Sequence, residues 1–115
     1  MDKKEINMKK GYKVVTKRTL MSYLDFTLGS VKYKIHKWAK PIKGNGPLCV
    51  FNTIEDAEIF NHQMLASIYE CFYEESELKT VYYHTAYNEI RRTTLGNLPK
   101  GTLLATKVQL IRRIR

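Results

Sequence analysis

The sequence predicts an α+β domain: a mainly antiparallel sheet, barrel-like if its edges meet, with one principal helix at about residues 53–66. Three observations carry this expectation. Val31-Lys32-Tyr33-Lys34-Ile35-His36 alternates apolar and polar side chains with the period of a half-buried strand. Asn52 to Glu55, and Thr53 to Asp56, have the spacing by which a capping side chain satisfies free amides in a first helical turn. Glycine and proline signals cut much of the remaining chain into short β-branched and aromatic runs.

Taken in order, residues 1–10 read as a basic, flexible lead-in to a single domain over 11–115. Tyr12 to Lys17 is a short β-favouring run. Gly29-Ser30 breaks the chain before the alternating run, in which Val31, Tyr33 and Ile35 face a core and Lys32, Lys34 and His36 face water. Pro41 ends that element, and Lys43-Gly44-Asn45-Gly46-Pro47 is a turn. Leu48-Cys49-Val50-Phe51 is apolar throughout, as in a strand covered on both faces. In the helix, Ile54, Ala57, Phe60 and Met64 recur at helical spacing, and Glu55, Asp56 and Glu58 suit the positive end of its dipole. Ile68 to Tyr73 returns to β character, Glu74-Glu75-Ser76 turns, and 78–87 favours strand. Asn88-Glu89-Ile90-Arg91-Arg92 reads as a capped helical turn. Leu98 to Gly101 turns into Thr102-Leu103-Leu104-Ala105, and Val108 to Arg115 is a loosely alternating terminal strand.

Charge is segregated along the 115 residues. Residues 1–51 carry twelve Lys/Arg and three Asp/Glu, 52–90 one Lys and eight acids, and 91–115 seven Lys/Arg and no acid. If the fold joins the two basic blocks, one face attracts anions. If the acidic middle pairs with both ends, most of the field cancels. No apolar run reaches the eighteen residues a membrane helix needs, and the N-terminus lacks the apolar segment of a signal peptide. A cytoplasmic protein with reduced Cys49 and Cys71 is therefore expected, making no membrane contact.

Stretches 33–38 with Pro41, 46–57 (Gly-Pro-Leu-Cys-Val-Phe-Asn-Thr, then Glu-Asp-Ala), and 99–105 (Pro-Lys-Gly-Thr-Leu-Leu-Ala) with Val108-Gln109-Leu110 form a recurring set. In these the chain resembles small uncharacterised single-domain proteins of phage and prophage type. The shared segments are turns and core strands, so the resemblance implies a fold and a setting in a bacterial host cell. An accessory role against host defence is what it implies for function, with no active-site residue to carry over.

Spacing separates the chemistry-bearing residues. Cys49, His62, Cys71 and His84 are too evenly spread for a zinc clip, so no metal or other cofactor is expected. His36 and His84 with Lys34 or Arg92 supply the residue types of a metal-independent nuclease, but nothing in the spacing assembles them. The helix cap accounts for the acids at 55–58 and a turn for those at 74–77. No phosphate loop or nucleophile elbow occurs. A non-enzymatic protein is expected.

The remaining pattern is cations interleaved with aromatics. Lys32, Lys34 and Lys37 lead to Trp38 and Lys40; Tyr82, Tyr83 and Tyr87 lead to Asn88, Arg91 and Arg92; Arg112, Arg113 and Arg115 close the chain. A flat ring stacks a base while ammonium and guanidinium groups neutralise the attached phosphate. The plain alternative for each is a core ring or a solvated charge. The expected ligand-binding residues are Lys32, Lys34, Lys37, Trp38, Tyr83, Arg91, Arg92, Arg112 and Arg113. Their expected ligand is a small nucleotide-like anion, such as a host immune signal, held by a homo-oligomer. The alternative partner is RNA or DNA, bound by a regulator or by an inhibitor of a nucleic-acid-guided defence complex. A third alternative is a protein partner for the acidic block.

Overall fold

A computed structural model describes residues 8–17, 20, 31–41, 46–61, 66–84 and 89–115, with only the backbone of Tyr83, His84 and Ile90. In chain order the elements are β1 (Met8–Val15), β2 (Trp38–Ala39), β3 (Leu48–Phe51), α1 (Ile54–Asn61), β4 (Ser67–Glu75), β5 (Thr80–His84), β6 (Ile90–Thr94), a 3-10 turn (Leu95–Asn97) and β7 (Thr102–Arg113). The fold is α+β, mostly antiparallel sheet with one α-helix among the described residues.

The main sheet runs β2-β7-β3-β1-β4, and β7 also pairs with β4. It therefore curls back on itself. The join between β1 and β3 is one residue pair, Tyr12 with Phe51, so the curl stops short of a closed barrel. Pleating sorts the side chains between two faces. Val15, Leu48, Val50, Cys71, Tyr73, Val108 and Leu110 fill the inside of the curl together with Tyr33. Gly11 is required where the curl is tightest: a Cβ there would strike the Tyr73 ring and the Phe51 carbonyl.

The outer face is covered in two places. Helix α1 packs Ala57 and Phe60 on Val14, Phe51 and Ile68. The β5–β6 sheet and the 3-10 turn bring Val81, Leu95 and Leu98 onto Cys49 and Leu104. The cap residue of α1 is Thr53, whose Oγ1 accepts the Asp56 N–H at 3.1 Å. Gly101, at φ +80°, holds the turn before β7 against this helical end, where the Asp56 carboxylate leaves no room for a side chain.

The expected helix is present and described over Ile54–Asn61; 62–65, including Met64, lie outside the described residues, and Asn61 exchanges two 2.9 Å hydrogen bonds with the backbone of Ala66, which leads into β4. Other expectations are corrected. Residues 31–36 do not form the expected strand. Lys37 N–H donates to Lys34 O, His36 sits at φ +65°, and the chain turns to lay Trp38–Ala39 along β7, leaving Ile35 exposed. Of the expected helical turn at 88–92, Asn88 lies outside the described residues and Ile90, Arg91 and Arg92 instead begin β6, where Tyr82 faces Arg92 across the ladder; cross-strand pairing outweighs the local helical signal. Met8, Lys9 and Lys10, assigned to the lead-in, begin β1 opposite Glu74, Tyr73 and Phe72. The terminal run alternates loosely because β7 skips Thr106 and Ile111 in its register with β4.

Candidate ligand-binding site

The acidic segment 67–75 becomes β4, flanked by basic β1 on one side and basic β7 on the other. Its carboxylates consequently collect cations from both neighbours. Glu70 lies 3.4 Å from Lys10 and 3.2 Å from Arg112. Glu75 binds Lys9 and Lys79, which hold its carboxyl below the ordinary carboxylate range, while the hydrogen bond to Glu75 raises Lys9. Farther out, Arg115 meets Glu58, and Arg91 meets Glu89. Among the described residues, five cations of the two ends, Lys9, Lys10, Arg91, Arg112 and Arg115, are thus matched by acids of the middle of the chain.

One cluster is not. Lys32, Lys34, Lys37 and Lys40 are exposed, and none has an acidic partner among the described residues. The turn at 34–37 gathers them beside half-buried Trp38 around a shallow cavity of about 250 Å³, with Val31 and Ala39 as its apolar floor. Trp38 pairs with Gln109 of β7, and the Lys107 ammonium stands 4.5 Å from its ring centroid. Lys107 therefore brings a cation from the C-terminal basic block to the N-terminal lysines. Sequence reading passed over it because it stands alone between Thr106 and Val108; only the strand register brings it to the tryptophan.

The other expected residues stand apart from that cavity. Arg112 is engaged by Glu70, and Arg113 Nε donates to Arg115 O. Arg91 and Arg92 lie on the separate two-stranded sheet, which bridges to the main body at Gly46 and Tyr82. Tyr83 is in β5, its side chain outside the described residues, as are Tyr87 and Asn88.

The two cysteines face opposite ways. Cys49 packs under Leu104 and Val81, whereas Cys71 is inside the curl, where burial pushes its thiol up to about 12. A second cation is turned inward: Lys13 is buried, donates to the Cys49 carbonyl at 2.5 Å and lies over the Tyr33 ring. No helix among the described residues is long and apolar enough to cross a membrane. Compared with known proteins, the chain matches no family model, no curated protein and no solved structure.

Proposed function

We propose that this chain is a non-enzymatic binding protein for a nucleotide-like ligand, its base against Trp38 and its phosphate among Lys32, Lys34, Lys37, Lys40 and Lys107. The observation that carries this reading is clustering. Among the described residues, exposed cations without a carboxylate occur elsewhere too, as at Arg92, Lys100 and Arg113, but Lys32, Lys34, Lys37 and Lys40 stand together around the one tryptophan, with Lys107 over its ring. Unmatched ammonium groups around a ring edge suit an anion carrying a flat ring.

The cavity of about 250 Å³ is smaller than the 300–1,000 Å³ of typical small-molecule pockets, so the chain by itself offers an open seat. Full enclosure of the ligand, as expected of a protein that sequesters a signal, calls for a second copy over the β2 edge. The resemblance to small phage-type proteins implies a setting in a bacterial host cell; a nucleotide signal of that host as the ligand, and an anti-defence role, are part of this proposal.

Trp38 fluorescence tests the reading directly, because it reports from the site itself. Titration with mononucleotides should give saturable quenching, and Lys34→Ala with Lys37→Ala should weaken it at least tenfold. Inorganic phosphate should bind far more weakly, lacking a ring. No saturable response to any nucleotide, confirmed by calorimetry, would sink the proposal.

A further inference from the structure

Register extends the Trp38 site across the sheet. Lys10 faces Phe72, Phe72 faces Gln109, and Gln109 faces Trp38, so β1, β4, β7 and β2 present these four residues in one line. All four belong to the outer face, since their neighbours Gly11, Cys71, Tyr73, Val108 and Leu110 turn inward. Phe72 is 37 % exposed, an unusual place for phenylalanine in the middle of a nine-residue strand. Helix α1 covers the same face only at its other end, around Val14 and Ile68.

The line is bordered by positive charge. Lys10, Lys107 and Arg112 stand on the face, and Lys32, Lys34, Lys37 and Lys40 beyond its β2 end. Among the described residues two acids oppose these seven cations: Glu70, shared by Lys10 and Arg112, and Glu74, which accepts from Thr106 at 2.7 Å. An apolar protein partner would gain from the rings but lose by desolvating the cations. A polyanion with flat rings gains from both.

We infer that this open face binds single-stranded nucleic acid, with Trp38 and Phe72 as two stacking positions for bases of one strand and Lys10, Lys107 and the 32–40 lysines on its phosphates. The inference rests on the proposed nucleotide site and adds to it the class of ligand: an oligonucleotide. The two rings are separated by two strand spacings, roughly 10 Å. One base cannot reach both, while nearby bases on one unstacked strand can. Stacking is tolerant of sequence because every base has a π-face, so sequence preference should be weak.

Fluorescence anisotropy with end-labelled oligouridylate and oligothymidylate of one, two, four and eight nucleotides, at two salt concentrations, tests this. Affinity should rise about tenfold or more from one nucleotide to four, fall as salt is raised, and resist competition by duplex. Phe72→Ala should erase the gain with length and leave mononucleotide binding unchanged; Phe72→Tyr should restore it. Trp38→Phe should weaken binding at every length. Circular dichroism establishes that each variant is folded, and Phe72→Leu, which keeps apolar bulk without a ring and should likewise erase the gain with length, carries the test if Phe72→Ala is not.

Equal affinity for one and four nucleotides, unaffected at Phe72, overturns the oligonucleotide inference while the mononucleotide site stands. Absence of all nucleotide binding removes both. A concentration-dependent dimer abolished by Phe72→Ala, with no length-dependent affinity, assigns the face to self-association and also overturns the inference.

Discussion

Strands β1 and β4 share one pleated outer face but treat its two halves differently. At one end Val14 and Ile68 lie beneath α1, with the rings of Phe51 and Phe60 5.2 Å apart and tilted at 35°. At the other, Lys10 and Phe72 are left bare, continued across β7 to Trp38. Backbone geometry is the same, so the difference lies in what the outward positions carry. A helix can dehydrate Val14 and Ile68 at no electrostatic cost, whereas covering Lys10 or Lys107 means desolvating an ammonium. Cations among aromatic residues thus keep a sheet face open that apolar residues would close. Fold stability belongs to the covered half, and the proposed binding to the open one.

Removing a large side chain from the covered half is the severest test. Phe51→Ala should cost about 3–5 kcal/mol, because Phe51 is buried and its loss leaves a cavity beneath Phe60. Urea denaturation at neutral pH measures this. A cost below about 1 kcal/mol would mean that the helix contributes little and that the two halves do not differ as argued.

Alkali probes the interior that both halves share. The folded Cys71 thiol is raised from 9.0 to about 12 by burial, and Tyr73 is raised by the same cause. A raised acid favours the folded state fully below its unfolded pKa. That advantage is lost as pH climbs from about 9 towards about 12, because the unfolded chain releases its proton first. Stability should decline by a few kcal/mol across this window, and Cys71→Ala, although less stable at neutral pH, should show a flatter decline. An identical pH profile for both proteins would remove Cys71 as the cause.

Much of this division was legible in the sequence, but through local signals only. Thr53 announced the helix, the unbroken Leu48–Phe51 run announced a strand covered on both faces, and the lysines on either side of Trp38 pointed to the residues that line one cavity. What escaped depends on partners distant in the chain. Nothing near Phe72 says that it aligns with Gln109 and Trp38, and nothing near Lys107 says that it reaches a ring. The 31–36 run has a strand's alternation yet ends in a turn, because Leu110 O accepts the His36 N–H and a left-handed residue is needed to align β2 with β7. Periodicity reports the solvent side of a residue, not the strand beside it.

On the open half, truncation should barely affect folding. Phe72→Ala should cost under about 1 kcal/mol in urea denaturation, several-fold less than Phe51→Ala, because its ring is already substantially hydrated. Equal costs at the two phenylalanines would make Phe72 a core residue and dissolve the contrast between the halves.

The smallest effect is expected at their boundary. Glu70 is the acid that ties down two cations of the open face, with a carboxylate 12 % exposed between Lys10 at 55 % and Arg112 at 68 %. Because both cations remain well hydrated, each pair is worth about 1 kcal/mol or less. Glu70→Gln keeps the shape of the side chain and a hydrogen-bond acceptor while removing its charge. Stability should change by no more than about 1 kcal/mol, and less at high salt, where such pairs are screened. Oligonucleotide affinity at low salt should rise a few-fold, because Lys10 and Arg112 are released to phosphates, and its dependence on salt should steepen. Unchanged affinity and slope in a folded Glu70→Gln protein would place Lys10 and Arg112 outside the binding face and confine the ligand to the Trp38 edge.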